Sequence, residues 1–535
     1  MDKVLVVGGR ATGLMMTLEL ARRGVPTRCI DLSSSIDPHV RANLVHSRTL
    51  EIFQGLGLDE EVSRGSTPEK GYVFYHDGAR VLERPHATIE PPFPYGLAQV
   101  QPHTEAVLET HLKSFGAQVE RGIALAALAQ DADGVDVTLH DENGAEEQDR
   151  FQWVIGCDGA HSTLRHLLGD GFSGEQDAIP YILGDVVISG AEDLEPHKAH
   201  VFLHRSGEFY VFTRLPENRF FLIASLDKEA APAGTPVLEE LQNLATERAR
   251  SSFQLSDPRW LGYFQIHHRL APRYRRDRVF LAGDAAHIQS PFGGHGMNTG
   301  IQDAHNLAWK LALVVQKRAK AEILDTYSVE RRPVAEELLE TTRQITNAME
   351  SYHTLSEPDR DTFISSLVLP EEAQLEAARH LQEVDLDYSA SPLCLTSEDS
   401  VQAGPAPGVR APDASDVSVA GHPTSLFKMP TEAGYRLYLF QGASNAAPLA
   451  ELTQAAETAQ RYAALLTPYI VKMDMDGDGF GEHAVILDPQ GTMHEIYGAS
   501  SPCAYLIRPD GYVAYRSAEL SSVDKYFDTL DLFAE

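Results

Sequence analysis

MDKVLVVGGRATG, residues 1–13, decides how the chain begins: an apolar run from Val4 to Val7 breaks into Gly8, Gly9 and Gly13. It continues as an apolar-periodic stretch through Leu14, Leu18 and Ala21 to Gly24. The pattern is that of a buried strand, a tight turn and a helix. Glycines at such a turn let the backbone approach a pyrophosphate, whose charge then meets the free N–H groups and positive dipole end of the helix. A second apolar strand, Pro26 to Ile30, ends in Asp31, at the distance where a carboxylate accepts from ribose hydroxyls. An adenine dinucleotide is the natural occupant, with Gly8, Ala11, Thr12 and Gly13 as the loop that cradles it.

The loop departs from G-x-G-x-x-G at one place, where Arg10 replaces the middle glycine. The side chain there either crowds the pyrophosphate or folds outward so that its guanidinium pairs with phosphate oxygens. The second reading is preferred, because every other element is present. Glycine-rich turns of this kind also arise for packing alone.

RVFLAGDAAHIQSPFGGHGMNTGIQDAHNLAWKLAL, residues 278–313, discriminates. Val279 to Ala282 reads as a short buried strand ending in Gly283 and Asp284. The loop Pro291-Phe292-Gly293-Gly294-His295-Gly296 opens a helix from about Met297 and Asn298. Asp284 is placed to hold ribityl hydroxyls, and the amides of the loop point over the helix N-terminus. For a flavin this is the N1 and O2 edge, whose negative charge on reduction a helix N-terminus stabilises by roughly 0.3–1 kcal/mol. Between the two segments, Trp153 to Gly156 leads into Cys157-Asp158-Gly159-Ala160-His161-Ser162, with Arg165 following.

These three pieces, in this order, resemble the single-component FAD-dependent aromatic hydroxylases, the para-hydroxybenzoate hydroxylase-like monooxygenases. In that family the central Asp-Gly motif serves FAD and the nicotinamide. Asp158, Gly159 and Arg165, and Gly283, Asp284, Pro291, Gly294, Gly296 and Asn298, match position by position. So do Arg41 in VRANLVHSRTLEIF and Gln101 with Glu105 in QPHTEAVLETHL, which contact or brace FAD in the family. The likeness is strong over about 1–345. Asp31 stands where glutamate is commoner, and His295 where glutamine often stands.

The resemblance implies an α/β and α+β fold: a Rossmann-like FAD-binding domain, 1–174 and 276–390, carrying a helical extension; an inserted antiparallel-sheet substrate domain, 175–275 with about 70–100; and, after a linker at 391–404, a thioredoxin-like domain at 405–535 without CxxC. Stretches such as AHVFLHRSGEFYVFTRL, 199–215, and RFFLIASL, 219–226, alternate with period two as half-buried strands do. The family places such a sheet over one side of the isoalloxazine, with the substrate between. Phe202, Tyr210, Phe212 and Phe221 are candidates for that pocket, together with His295, although aromatics on alternating strand positions are more often core. No catalytic base is named. Helical patterns run from about Gln302 to Arg318 and from Ser328 to Tyr352, with Arg331 and Arg332 expected as surface or interdomain ions.

Composition bounds the partners. The 535 residues carry a formal charge of −32, which argues against nucleic acid and anionic membranes. No apolar run is long enough for a membrane span, and the first is unlike a signal peptide, so a cytoplasmic location is expected. Cys29, Cys157, Cys394 and Cys503 form no CxxC pair, which removes dithiol exchange and a zinc site. Asp474-Met475-Asp476-Gly477-Asp478-Gly479 imitates a calcium loop, but Val485 occupies the twelfth position; no metal is expected.

The implied activity is hydroxylation of a phenolic or polycyclic aromatic small molecule through a C4a-hydroperoxyflavin, with NADH or NADPH as reductant and O2 as co-substrate, by a monomer or homodimer. Two alternatives stay open: Baeyer-Villiger oxygen insertion on a polyketide-like substrate, and a flavin- or ligand-binding protein without turnover.

Overall fold

The computed structural model describes residues 3–40, 42–227, 234–250, 252–352, 355–397, 403–429, 434–444, 447–474 and 483–533. Arg41 and most of the acidic loop at 474–479 lie outside them. Val4–Val7 is fully buried and pairs in parallel with Thr27–Asp31 on one side and Trp153–Gly156 on the other. The last of these pairs with Val279–Leu281. A six-stranded sheet thus forms from all three glycine-bearing segments, whose turns leave its strands at the same end. Helices α1 (Ala11–Arg22), α2 (Gln101–Ser114) and, farther along, His295–Val315 pack on it.

An eight-stranded sheet lies beside it, built from Ser173–Ser189, Ala199–Leu203, Phe209–Arg214, Phe220–Ser225, Gln254–Leu270 and His287–Ile288, joined by Gly71–His76 and Ala79–Pro85 from far upstream. One face is covered by α3 (Leu238–Arg248), and the other turns toward the loop at 291–294. Helix α4 (His295–Val315) begins two residues before the expected Met297, because Gly294 at φ +74° takes the left-handed turn that lets the helix start at once. Helix α5 (Thr326–Tyr352) follows and carries Pro333 in its body.

The last part forms another eight-stranded sheet around Tyr435–Phe440, with Leu466–Lys472 and Ala484–Leu487 parallel to it in turn and Cys503–Ile507 antiparallel. The segment expected as a linker is anchored at its start. Leu395–Thr396 adds an edge strand beside Val513–Ser517, and the Ser391 hydroxyl donates to Glu330 on α5. A single apolar core runs from the first sheet into this last unit, through Trp309, Tyr435 and Tyr526. Arg331, expected as a surface or interdomain ion, is completely buried: its guanidinium holds Asp303 and the Tyr388 hydroxyl. Among the described residues no helix is long and apolar enough to cross a membrane.

Candidate active site

Thr12 joins the two glycine-rich segments. A Cβ on Gly283, itself at φ +58°, would come within 2.6 Å of the Thr12 hydroxyl, and one on Gly300 of α4 within 2.3 Å, so only glycine admits this contact. The loop at 8–13 is equally tight, since a Cβ on Gly13 would sit 1.8 Å from the Gly8 carbonyl. The glycines of the motif therefore serve backbone packing as well as ligand approach.

Arg10 folds outward from the loop. Its Nη1 donates to Asp37 at 2.7 Å and its Nε to Glu105 at 3.1 Å. The same Glu105 oxygen accepts from the Ala11 N–H at 3.1 Å and from Gln101 at 2.7 Å. Three donors thus converge on one carboxylate oxygen at the start of α1, a place electrostatically suited to an anion. Arg10 Nη2 is buried and finds no hydrogen-bond partner among the described residues. Asp31 accepts from the Gly9 N–H at 2.5 Å and from the Ser33 N–H at 2.7 Å, so its carboxylate braces the loop it faces. A cleft of about 260 Å³, mouth included, opens among Arg10, Asp31, Ser33, Asp37 and Glu105.

Asp158 holds its own turn. It accepts from the Ser162 hydroxyl at 2.5 Å and the Leu164 N–H at 3.0 Å, while burial pushes its carboxyl up. Arg165 ties this turn to the late motif by donating to the Ala285 and Ala160 carbonyls, each at 2.8 Å. Gly283 N–H donates to Asp303, whose other partners are His287 and Arg331. Burial opposes the charge on Asp303, yet those cations hold its carboxyl low. Asp284 faces solvent.

At the start of α4 no side chain caps the helix, and a Cβ on Gly296 would meet nothing within 4 Å. The side of the first turn at Gly296 is therefore open, at a terminus whose amides have no intrahelical acceptors. Asn298 pins the surroundings, accepting from the His46 N–H at 2.9 Å and donating to the carbonyls of Leu44 and Gly294. Met297 is buried beside it, and Pro291 is half-buried. The orphaned Arg10 nitrogen, the cleft beside Asp31 and the open space over Gly296 together fit an extended dinucleotide bearing a flavin.

His295 does not reach the sheet's aromatics. It is buried, with Nδ1 2.7 Å from Glu383, a carboxylate also held by Thr299 and Gln302. Burial opposes ionisation of Glu383, but its bond to His295 keeps the carboxyl below the usual range. His46 packs against the same histidine, ring centroids 5.0 Å apart. Glu383 and His46 were not among the sequence candidates. No spacing links 383 to 295, and the connector between them gives no motif.

The pocket candidates divide. Phe202, Tyr210 and Phe212 point to the face under α3, where Tyr210 donates to the Leu241 carbonyl at 3.2 Å. This corrects Tyr210 and Phe212 as substrate contacts: they are one strand position out of phase with the opposite face. Phe221, itself buried, lies on that opposite face with Tyr181, Phe209 and Trp260, where Phe292 from the glycine loop packs 5.7 Å from Phe209 and 6.1 Å from Tyr181.

All four cysteine thiols are pushed above their ordinary range by burial. Burial pushes Cys29 and Cys503 up to about 12 and Cys394 to about 11.

A family model described as FAD binding domain matches residues 1–342. Rifampicin monooxygenase of Streptomyces venezuelae is 39% identical over 345 residues, 64% of this chain and 71% of that protein. Pentachlorophenol 4-monooxygenase of Sphingobium chlorophenolicum is 31% identical over 531 residues, 96% of this chain and 93% of its own. Among solved structures, OxyS anhydrotetracycline hydroxylase from Streptomyces rimosus superposes with a TM-score of 0.78 at 27% identity, over 98% of both chains.

Proposed function

Because this chain belongs to the FAD-dependent aromatic hydroxylase family, we propose that it is a monooxygenase that uses NADH or NADPH and O2 to hydroxylate a phenolic or polycyclic aromatic small molecule. The observation that carries the substrate class is the aromatic cluster where the sheet face meets the loop at 291–294, formed by Tyr181, Phe209, Phe221 and Phe292. Rings at these spacings favour edge and offset contacts with a further aromatic ring.

Bound FAD supplies the electron transfer and oxygen activation. The chain's own residues bind and orient. Arg10, whose Nη2 is free, and the α1 amides take the pyrophosphate; Asp31 and Gln101 flank the adenosine side; Asp158 with its turn, Asp284 and the Gly294–Asn298 amides take the flavin side. Glu383 keeps a proton on His295 Nδ1 and so fixes that ring at the first turn of α4. The apolar walls exclude water from the reacting edge. The division of labour follows the sheets: the six-stranded unit for cofactor, the first eight-stranded sheet for substrate, and the last unit as a structural partner.

The test is to record the visible spectrum of the purified protein and follow NADH and NADPH oxidation in air with a panel of phenols and polycyclic aromatics, measuring peroxide and product mass. Bound flavin, ligand-stimulated oxidation and a product heavier by one oxygen are expected. A lactone product would replace this reading with ring insertion, and no stimulation by any aromatic would overturn it.

A further inference from the structure

A second cleft, about 380 Å³ with its mouth included, lies between the cofactor unit and the last unit. Its polar lining is Arg22, Arg48, His305, Glu51, Asp510 and Arg436. His305 is ten residues from His295 along α4, so the cleft sits about 15 Å from the helix start that faces the flavin. It is a different site.

The carboxylates here are oversubscribed. Glu51 is held by Arg48 at 2.8 Å and by Arg410. Glu19 is shared by Arg22 at 2.9 Å, by Arg23, and by His305 at 2.7 Å. Asp510 takes Arg508 at 2.6 Å and also accepts from Trp309. Arg436 is left without one. It is 5% exposed, donates only Nη1 to the Leu426 carbonyl at 2.7 Å, and among the described residues has no carboxylate within 4 Å. Its Nε is buried and unpartnered, and so is that of Arg48, which is 4% exposed.

A buried guanidinium without a counter-charge is strongly disfavoured, and two orphaned N–H groups from opposite sides of one cleft add to the penalty. The chain is otherwise acidic, at −32, so the local positive surplus is not a by-product of composition.

We propose that this cleft binds a phosphoryl group bridged by Arg436 from the last unit and Arg48 from the cofactor unit. Planar guanidinium forks match phosphate oxygens bidentately, and a dianion answers the surplus better than a monoanion. Inorganic phosphate and the phosphates of a nucleotide share this chemistry. Occupancy would fasten the last unit to the cofactor unit.

The experiment uses the full FAD-loaded protein. Inorganic phosphate and NADP+ are titrated separately against chloride at equal ionic strength, following thermal unfolding and, for phosphate, the 31P linewidth. Saturable protection by at least one probe is expected, weakened about tenfold or more in R436Q and less in R436K, which keeps the charge but loses the fork. Loss of the phosphate effect in R436Q identifies the free ion, and loss of only the NADP+ effect identifies the nucleotide. No protection beyond chloride in the unaltered protein overturns the proposal, as does equal protection in R436Q. Should R436Q fail to fold, the R436K titration decides, and binding as tight as in the unaltered protein overturns it.

Discussion

The two faces of the sheet through Phe209–Arg214 are made of the same residue types and do different work. Under α3, Phe202, Tyr210, Phe212 and Phe253 close on one another, Phe212 lying 5.5 Å from Phe202 and 5.4 Å from Phe253. On the other face Tyr181, Phe209 and Phe221 pack with the half-buried Phe292 of the glycine loop and with Tyr352 and Ile364 from helical segments later in the chain. Aromatic content therefore does not identify a binding surface; what covers the face does. One face lies under α3, and the other meets the glycine loop at 291–294 that follows the late flavin motif.

The largest test of this contrast is Phe212→Ala. Removing a fully buried ring from the α3 face should cost about 3–5 kcal/mol in urea unfolding, with the Michaelis constant of the remaining folded enzyme unchanged. A large change in that constant at full folding would mean the faces are misassigned.

Acid should act on the loop side. Burial depresses His46 to about 4, against an ordinary value of 6.5. As pH falls, the unfolded chain takes up this proton first, so stability present above about 6.5 declines toward about 4, by about 3 kcal/mol in all. The slope of unfolding free energy against pH should flatten in His46→Phe; an unaltered slope would remove His46 as the cause.

Phe292→Ala is expected to reverse the pattern of Phe212→Ala. It should lose only about 1–2 kcal/mol of stability, while releasing a larger share of consumed NAD(P)H equivalents as peroxide, because the loop loses its apolar contact with the sheet face and admits water. Peroxide yield matching the unaltered enzyme would argue that Phe292 does not border the substrate. The smallest effect belongs to Tyr210→Phe, which deletes the hydroxyl bond to Leu241 for about 1 kcal/mol and leaves turnover intact.

Much of the cofactor side was legible from residues alone. Val4–Val7 before Gly8, Asp31 after the next strand and Gly283-Asp284 after Val279–Leu281 each announce a strand and the turn that ends it, and the fold brings their turns to one end of one sheet. For Arg10 the residues left two orientations open, of which the outward one was preferred because the other motif elements are present; its partners Asp37 and Glu105 did not follow from the sequence. Pocket residues were legible only as a set. Period two states that Phe209 and Tyr210 face opposite ways but not which way is which, because α3 and the 291–294 loop arrive from elsewhere in the chain.

Sequence by itself determined the local matters: where strands break, where glycine is obligatory, and the membership that follows from those motifs. These are set by backbone sterics and hydrogen bonding over a dozen residues, and they survive any arrangement of distant parts. Only the tertiary structure decided that Glu383 holds His295, that Arg331 is buried on Asp303, and that Arg436 is left without a carboxylate. The physical reason is that a charge's partner is whatever packing places within about 4 Å, where Coulomb interaction and desolvation are both steep, and that neighbour is chosen by the docking of whole units.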